Sequence, residues 1–397
     1  MEQTSSTDSR PPGAFRGAIV ATVALISVFA AASAPIPLYA HWQAELGLAA
    51  SDVSMTIVSY LIGVLAVLFF AGSLSDASGR RPSVAASLLC GIAGCCLFAG
   101  LENGFMLQAA RFVQGVSCAL GMSATSAFVI DCTSDNHRTF GMTIASTGYL
   151  IGLTVGSLGI GLFATALTDY WIVFIVLVFI MAATLAFLPF TKETVVNRIT
   201  WRRAVKPMLQ VPAHLKGLLP IAAGGYISTW SVGFFFQSLA TPASVDYFGA
   251  NDPLIPSLVL ALAMAPSALG GPISARVGTR ASMVFGLAAT FATSLALLAC
   301  MVAGQLALFF VLEVLFAVAC GIVLSASMHM LISASTPQEN ASVVSLTNFS
   351  GYAGSTIIST VVTAVADSVD LAWVFALIVA MAAVSVVPGC IKLAKEK

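Results

Sequence analysis

The sequence holds 397 residues, of which 58% are hydrophobic and 9% charged, and its 17 Lys and Arg balance its 17 Asp and Glu to a net charge of zero. Soluble domains carry roughly 25% charged residues, so this composition excludes a water-exposed globular surface, and the missing basic field excludes a nucleic-acid partner held by charge. With roughly 20 apolar residues needed per membrane span, the chain has room for about twelve helices and their turns, and none for an extramembrane catalytic domain.

Residues 1–16 open with a Ser- and Thr-rich stretch ending in Pro11-Pro12 and are expected to be a cytoplasmic tail. Arg10 and Arg16 precede an apolar run through Ala31-Ala32-Ser33-Ala34, which resembles a cleavable leader. The run continues to Tyr39 and further spans follow, so the first helix is read as uncleaved. Apolar windows bounded by charges and turn residues predict helices over 17–40, 52–73, 82–100, 104–130, 139–166, 170–190, 217–240, 253–275, 281–303, 305–333, 337–366 and 370–391. Pro35 and Pro37 in the first and Pro266 in the eighth are expected to interrupt helix regularity. The eight cysteines lie in or at the ends of apolar stretches without a CxxC pair and read as packing residues; Cys95 and Cys96, being adjacent, point to different helix faces.

With a cytoplasmic N-terminus, the tails and the connections at 74–81, 131–138, 191–216 and 276–280 hold every Lys and Arg except Arg111. That one-sided distribution is the positive-inside pattern and predicts that both termini are cytoplasmic. The 191–216 connection carries Lys192, Arg198, Arg202, Arg203, Lys206 and Lys216 against the single acid Glu193, and reads as a basic linker at the middle of the chain. It separates a 17–190 six-helix bundle from a second at 217–391, followed by a 392–397 tail. The halves are related in sequence. Gly72, Ser75, Gly79 and Arg81 match Gly271, Ser274, Gly278 and Arg280 at an offset of 199 (271 − 72), and Gly148-Tyr149 matches Gly351-Tyr352 at 203 (351 − 148). Duplicated halves are the build of secondary transporters, with substrate held between the repeats.

The first inner connection reads Gly72-Ser73-Leu74-Ser75-Asp76-Ala77-Ser78-Gly79-Arg80-Arg81-Pro82. It resembles the G-x-L-x-D-x-x-G-R-[RK] loop of the major facilitator superfamily, and Arg111-Phe112-Val113-Gln114-Gly115 is similar to that family's fourth-helix R-x-x-Q-G motif. The resemblance covers the whole chain and points toward the bacterial drug/proton antiporter branch. It implies an all-α membrane protein of twelve helices in two pseudo-symmetric six-helix bundles, set in the bacterial inner membrane. It also implies that Asp76, Arg80 and Asp131, framed by Gly72, Gly79 and Arg81, latch the halves in the outward-open state, with Asp76 facing the start of the eleventh helix at Thr336-Pro337-Gln338-Glu339. Family exporters carry G-x-x-x-G-P-x-x-G-G in the fifth helix. This chain keeps Gly148, Gly152 and Gly156, spaced for close helix packing, but has Leu153 in place of Pro and Ser157 in place of the last Gly.

Two charges fall inside predicted helices. Arg111 in the fourth and Glu313 in the tenth are 202 residues apart (313 − 111), matching the repeat, so they are expected to face each other across a central cavity at similar depth. An ionised acid at the centre of a membrane helix costs about 2.5–3.5 kcal/mol, so Glu313 is expected to carry a proton or a substrate cation, or else to pair statically with Arg111. Further cavity candidates are Gln114; Tyr226, Trp230 and Gln237 on one face of the seventh helix; and Asn348 and Tyr352 on a polar stripe of the eleventh. The four histidines are scattered and form no metal or catalytic constellation, and no nucleotide-binding loop is present. The expectation is a proton-coupled exporter of amphipathic or cationic small molecules working by alternating access. The rival is an importer of small organic anions that uses Arg111 as carboxylate ligand; a passive channel or a membrane enzyme fits less well. The expected partners are the substrate, protons and the bilayer, with the chain acting as a monomer, without cofactor or metal and without catalytic residues.

Overall fold

The computed structural model describes residues 14–71, 74–133, 138–166, 171–195, 200, 213–250, 252–336, 340–365 and 368–395. Within them the chain runs back and forth as twelve successive helical rods, with no strand among the described residues. Ten are long and apolar enough to cross a membrane, and the shorter Leu371–Val387 stretch is also apolar. The eleventh rod, Asn340–Val365, is punctuated by Ser, Thr and Asn.

Proline chemistry explains where the rods depart from the predicted windows. The first is not one helix over 17–40: it runs Ala14–Ser33, passes through a 3-10 turn at Ile36–Leu38 and resumes as Tyr39–Leu46. Pro35 and Pro37 have no N–H to donate to the preceding turn. The eighth breaks likewise, into Leu254–Met264, a 3-10 stretch Ala265–Leu269 around Pro266, and Gly270–Val277. The seventh, predicted to end at 240, continues through Pro242 to Phe248 and stops at Gly249, whose φ of 62° is left-handed. Its extension is stabilised by burial of Thr241, Ala243 and Ser244. The loop expected at 74–81 contains a short helix, Leu74–Ser78.

Gly79 and Gly278 both have φ in the glycine-favouring region, 107° and 90°, each immediately before a helix, Arg80–Ala99 and Thr279–Val302. The sequence repeat is therefore also a repeat of backbone conformation, because a side chain at either position would be strained. The largest apolar core draws on residues 21–188 with Phe234 and Leu260 added, while three smaller cores draw only on residues from 215 to 386. The two sets meet at both ends of the rods. At the end of the rods away from Arg80, Thr241 Oγ1 donates to the Ile36 carbonyl at 2.8 Å and Ser157 Oγ to the Ser257 carbonyl at 3.0 Å. Toward the Arg80 end, the second and eleventh rods touch through Phe69 and Phe349, with ring centroids 6.0 Å apart.

Candidate functional site

A cavity of about 90 Å³ lies between the two sets of helices. The first, second and fifth helices contribute Phe29, Tyr60 and Tyr149, and the seventh, tenth and eleventh contribute Trp230, Phe234, Phe316 and Tyr352. Besides the polar groups of Tyr60, Tyr149, Tyr352 and Trp230, its polar lining is Thr229, Gln237 and Ser267, and no described lining residue carries a formal charge. The rings contact one another in two groups. Trp230 sits 4.2 Å from Tyr352 and 5.0 Å from Tyr226, Phe234 stacks on Tyr352 at 6.4 Å and 15°, and Phe29 meets Tyr149 at 5.6 Å. Such a surface suits flat apolar groups and, through the negative ring faces, cations.

The seventh helix presents Trp230 and Gln237 to the cavity as their shared face predicts, and Tyr352 comes from the eleventh. Tyr226 stands behind Trp230, and Asn348 and Gln114 lie outside the lining. Phe29, Tyr60 and Tyr149 are cavity residues that sequence reasoning missed. For Tyr149 a signal existed, because it is the repeat partner of Tyr352 (352 − 149 = 203).

Arg111 and Glu313 are not brought together. Arg111 is 1% exposed and its Nη1 donates to the Ala32 carbonyl at 2.7 Å and to Gln114 Oε1 at 2.9 Å. Gln114 Nε2 in turn donates to the Ala31 carbonyl at 2.6 Å. The carbonyls are available because the first helix ends at Ser33: the residue four beyond Ala31 is Pro35, which has no N–H to offer, and Ala32 belongs to the same last turn. The guanidinium also lies 4.9 Å from the centre of the Tyr60 ring, so it touches the cavity wall from behind rather than facing the cavity. Neither charge lines the cavity and the two do not pair, the fork of Arg111 being turned onto the first helix.

Glu313 is fully buried, and neither carboxyl oxygen has a hydrogen-bond partner. It occupies a stripe with Phe309, Phe316 and Cys320, at steps of four, three and four residues, all of them buried. Phe236 lies 6.3 Å from Phe309 and 5.7 Å from Phe316, the stripe residues on either side of the acid. One turn further along the stripe, Phe316 and then Cys320 reach the cavity, so Glu313 sits just beyond its wall.

The Arg80 end holds a polar network. Arg80 Nη1 donates to Asp76 Oδ1 at 2.8 Å and to Ser75 Oγ at 2.6 Å, and its Nε reaches Asp131 Oδ2 at 3.4 Å. Glu193 joins it, accepting from the backbone N–H of Arg80 at 2.8 Å and of Arg81 at 3.0 Å, while Thr194 Oγ1 donates to Asp131 Oδ2 at 2.9 Å. Partial burial raises the Glu193 carboxyl, but backbone N–H donors from Val195, Arg80, Arg81 and Thr194 outweigh it and hold the acid below the usual carboxylate range. Glu193 was visible in sequence only as the lone acid of a basic linker. Arg81 enters the network through its backbone N–H, and its buried Nε has no partner. Gly72 and residues 337–339, expected to frame and receive this loop, lie outside the described residues. On the fifth helix, a Cβ added at Gly148, Gly152 or Gly156 would collide with the Leu25 side chain, the Ile26 carbonyl or the Ala30 carbonyl of the first.

Comparison with known proteins agrees with this architecture. The sequence profile of the Major Facilitator Superfamily matches residues 21–270. The MFS-type transporter tstD of Talaromyces stipitatus is 27% identical over 179 residues, covering 44% of this chain and 32% of that protein. The MFS-type transporter phiD of a Fungal sp. is 26% identical over 185 residues, 45% of this chain and 28% of its own. The quinolone resistance protein NorA of Staphylococcus aureus is 22% identical over 125 residues, 30% of this chain and 32% of its own. The chain thus matches about a third of the length of these curated relatives. Apolar helices that fold back on one another around a central cavity, a glycine-repeated loop in each half, and a family profile covering most of the chain lead to one assignment: this multi-pass membrane protein belongs to the Major Facilitator Superfamily.

Proposed function

We propose that the protein is a proton-coupled secondary transporter that exports amphipathic or cationic small molecules, its two halves rocking about the central cavity. The observation that carries this reading is the cavity itself, an aromatic-lined space between the two sets of helices with no charge among its described lining residues. Flat apolar groups gain from burial against these rings, and a cationic group gains from the ring faces without needing a fixed carboxylate. Glu313 supplies the coupling site. A buried carboxylate without any partner would forgo all compensation for its lost hydration, so the acid is neutral in this state and ionises only when the tenth helix exposes it to water.

The importer reading needs a cation offered to a substrate carboxylate. The guanidinium of Arg111 is already engaged with a backbone carbonyl, Gln114 and Tyr60, and is sealed from the cavity. Export is also in keeping with the quinolone resistance for which NorA, one of the similar proteins, is named. The Lys and Arg distribution supports an orientation with both termini and the 191–216 linker cytoplasmic. The Asp76–Arg80–Asp131 network on that side would hold the loop in one shape while the halves change their angle.

The test is transport in everted vesicles with an imposed pH gradient. An acid interior should drive accumulation of a fluorescent lipophilic cation, and a protonophore should abolish it. Accumulation indifferent to the gradient would overturn the proton coupling, and acid-driven uptake of an aromatic carboxylate by right-side-out vesicles would select the importer.

A further inference from the structure

A second concavity lies on the outer surface, between the first and sixth helices, and shares no lining residue with the aromatic cavity. It encloses about 670 Å³, within the roughly 300–1,000 Å³ of built ligand sites. One wall is the stripe Arg16, Val20, Val23 of the first helix and the other runs from Phe179 to Thr191 along the sixth. At about 1.5 Å per helical residue, the twelve steps from Phe179 to Thr191 extend about 18 Å. This is slightly more than one leaflet of a hydrocarbon core about 30 Å thick. Arg16 is the only charged residue among the described residues that line the groove and stands at one end of it. The two hydroxyls that line it are turned away: Thr184 Oγ1 donates to the Ile180 carbonyl at 2.7 Å and Thr191 Oγ1 to the Leu188 carbonyl at 2.7 Å. Beyond the guanidinium, the groove therefore offers only apolar surface.

We infer that this groove is a binding site for one anionic phospholipid of the Arg16-side leaflet, with its phosphate on the Arg16 guanidinium and an acyl chain lying between the two helices. The shape argues for an amphiphile aligned with the helix axes, one end charged and the rest hydrocarbon. The sign of Arg16, followed on the sixth-helix side by Lys192 next to Thr191, argues for an anionic headgroup and against a lateral doorway for cationic substrates. A free phosphate would find one exposed Arg and no other donor in the groove, so the apolar length is what distinguishes a lipid from an inorganic ion. The inference depends on the membrane setting and not on the substrate or direction of transport.

The experiment is native mass spectrometry of the intact protein in detergent, loaded with phosphatidylglycerol or phosphatidylcholine of identical acyl chains. The wild type should retain phosphatidylglycerol about fivefold better, the equivalent of the ~1 kcal/mol that one Arg contributes at an anionic surface. Arg16→Gln should remove the preference and Arg16→Lys should keep most of it. Ala183→Trp, which fills the groove from the sixth helix, should lower retention of both lipids; monodisperse elution of each variant on size exclusion shows that it is folded. Equal retention of the two lipids by the wild type overturns the inference, as does an unchanged preference in Arg16→Gln.

Discussion

Replacing Glu313 by Leu separates the two roles that a buried acid can have, because they predict opposite signs for stability. Both carboxyl oxygens lack partners, and the acid shares its helix stripe with Phe309 and Phe316, both of which pack near Phe236. A buried polar group left unsatisfied costs about 1–3 kcal/mol, so a Leu of similar size should make the protein more stable by about that amount. If Glu313 instead stabilised the fold through a buried ion pair, removing it would cost about 3–5 kcal/mol. The assay is unfolding of the purified protein in detergent, followed by tryptophan fluorescence, beside pH-driven transport in vesicles. The expected outcome is a more stable protein in which the pH gradient no longer drives net transport. Arg111→Gln combined with Glu313→Leu should show stability effects additive within about 0.5 kcal/mol, since the partners of Arg111 are Ala32 and Gln114 rather than the acid. Loss of stability in Glu313→Leu, or strong coupling between the two positions, would refute the reasoning.

Gly115→Ala should destabilise by about 1–3 kcal/mol, because its Cβ would meet the Tyr60 carbonyl oxygen, whereas Gly159→Ala, with nothing within 4 Å, should leave thermal unfolding within about 0.5 kcal/mol of wild type. Glu193→Gln should loosen the Arg80 network, read as faster proteolysis near Arg80. Because the folded Glu193 is more acidic than the unfolded, its contribution is present above the unfolded value of about 4.3 and is lost only as pH falls through the lower folded value. The difference between variant and wild type should therefore be constant from about pH 5.5 to 8, and a difference that vanishes on going from pH 8 to 6 would count against the assignment. In a background lacking the eight native cysteines, Glu102→Cys should react with an impermeant maleimide from outside intact cells and Thr200→Cys should not; outside labelling at Thr200 would sink the proposed orientation.

The helix count was legible because a membrane rod needs a long apolar run, and charges and turn residues punctuate such runs cleanly. The breaks at Pro35, Pro37 and Pro266 were legible for a local reason, the missing N–H. The seventh helix runs past its predicted end at 240 because burial of Thr241, Ala243 and Ser244 carries it through Pro242, and burial is not a local property. The cavity was half visible. Helical periodicity placed Trp230 and Gln237 on one face, but it does not state how each rod is rotated against its neighbours. That rotation decides that Tyr60 and Tyr149 line the cavity and that Arg111 turns away from it.

The repeat relation between Arg111 and Glu313 takes on a different meaning once their surroundings are known. Equivalent places in a duplicated fold receive opposite charges, and the chain answers them differently. In the first half the broken first helix leaves a backbone carbonyl free, and the permanently charged, donor-only guanidinium of Arg111 is held through Nη1 by that carbonyl and by Gln114, its Nε remaining without a partner. In the second half the acid shares its stripe with aromatic rings and meets no donor. A carboxyl can tolerate that only while it is neutral, and it can release its proton only if water or a donor arrives. On the proposed reading, Arg111 therefore belongs to the fixed frame of the first half, which its bonds to the first helix hold rigid. Glu313 is the member of the pair whose state must follow the position of its helix, and this is the property that coupling a proton to a conformational cycle requires.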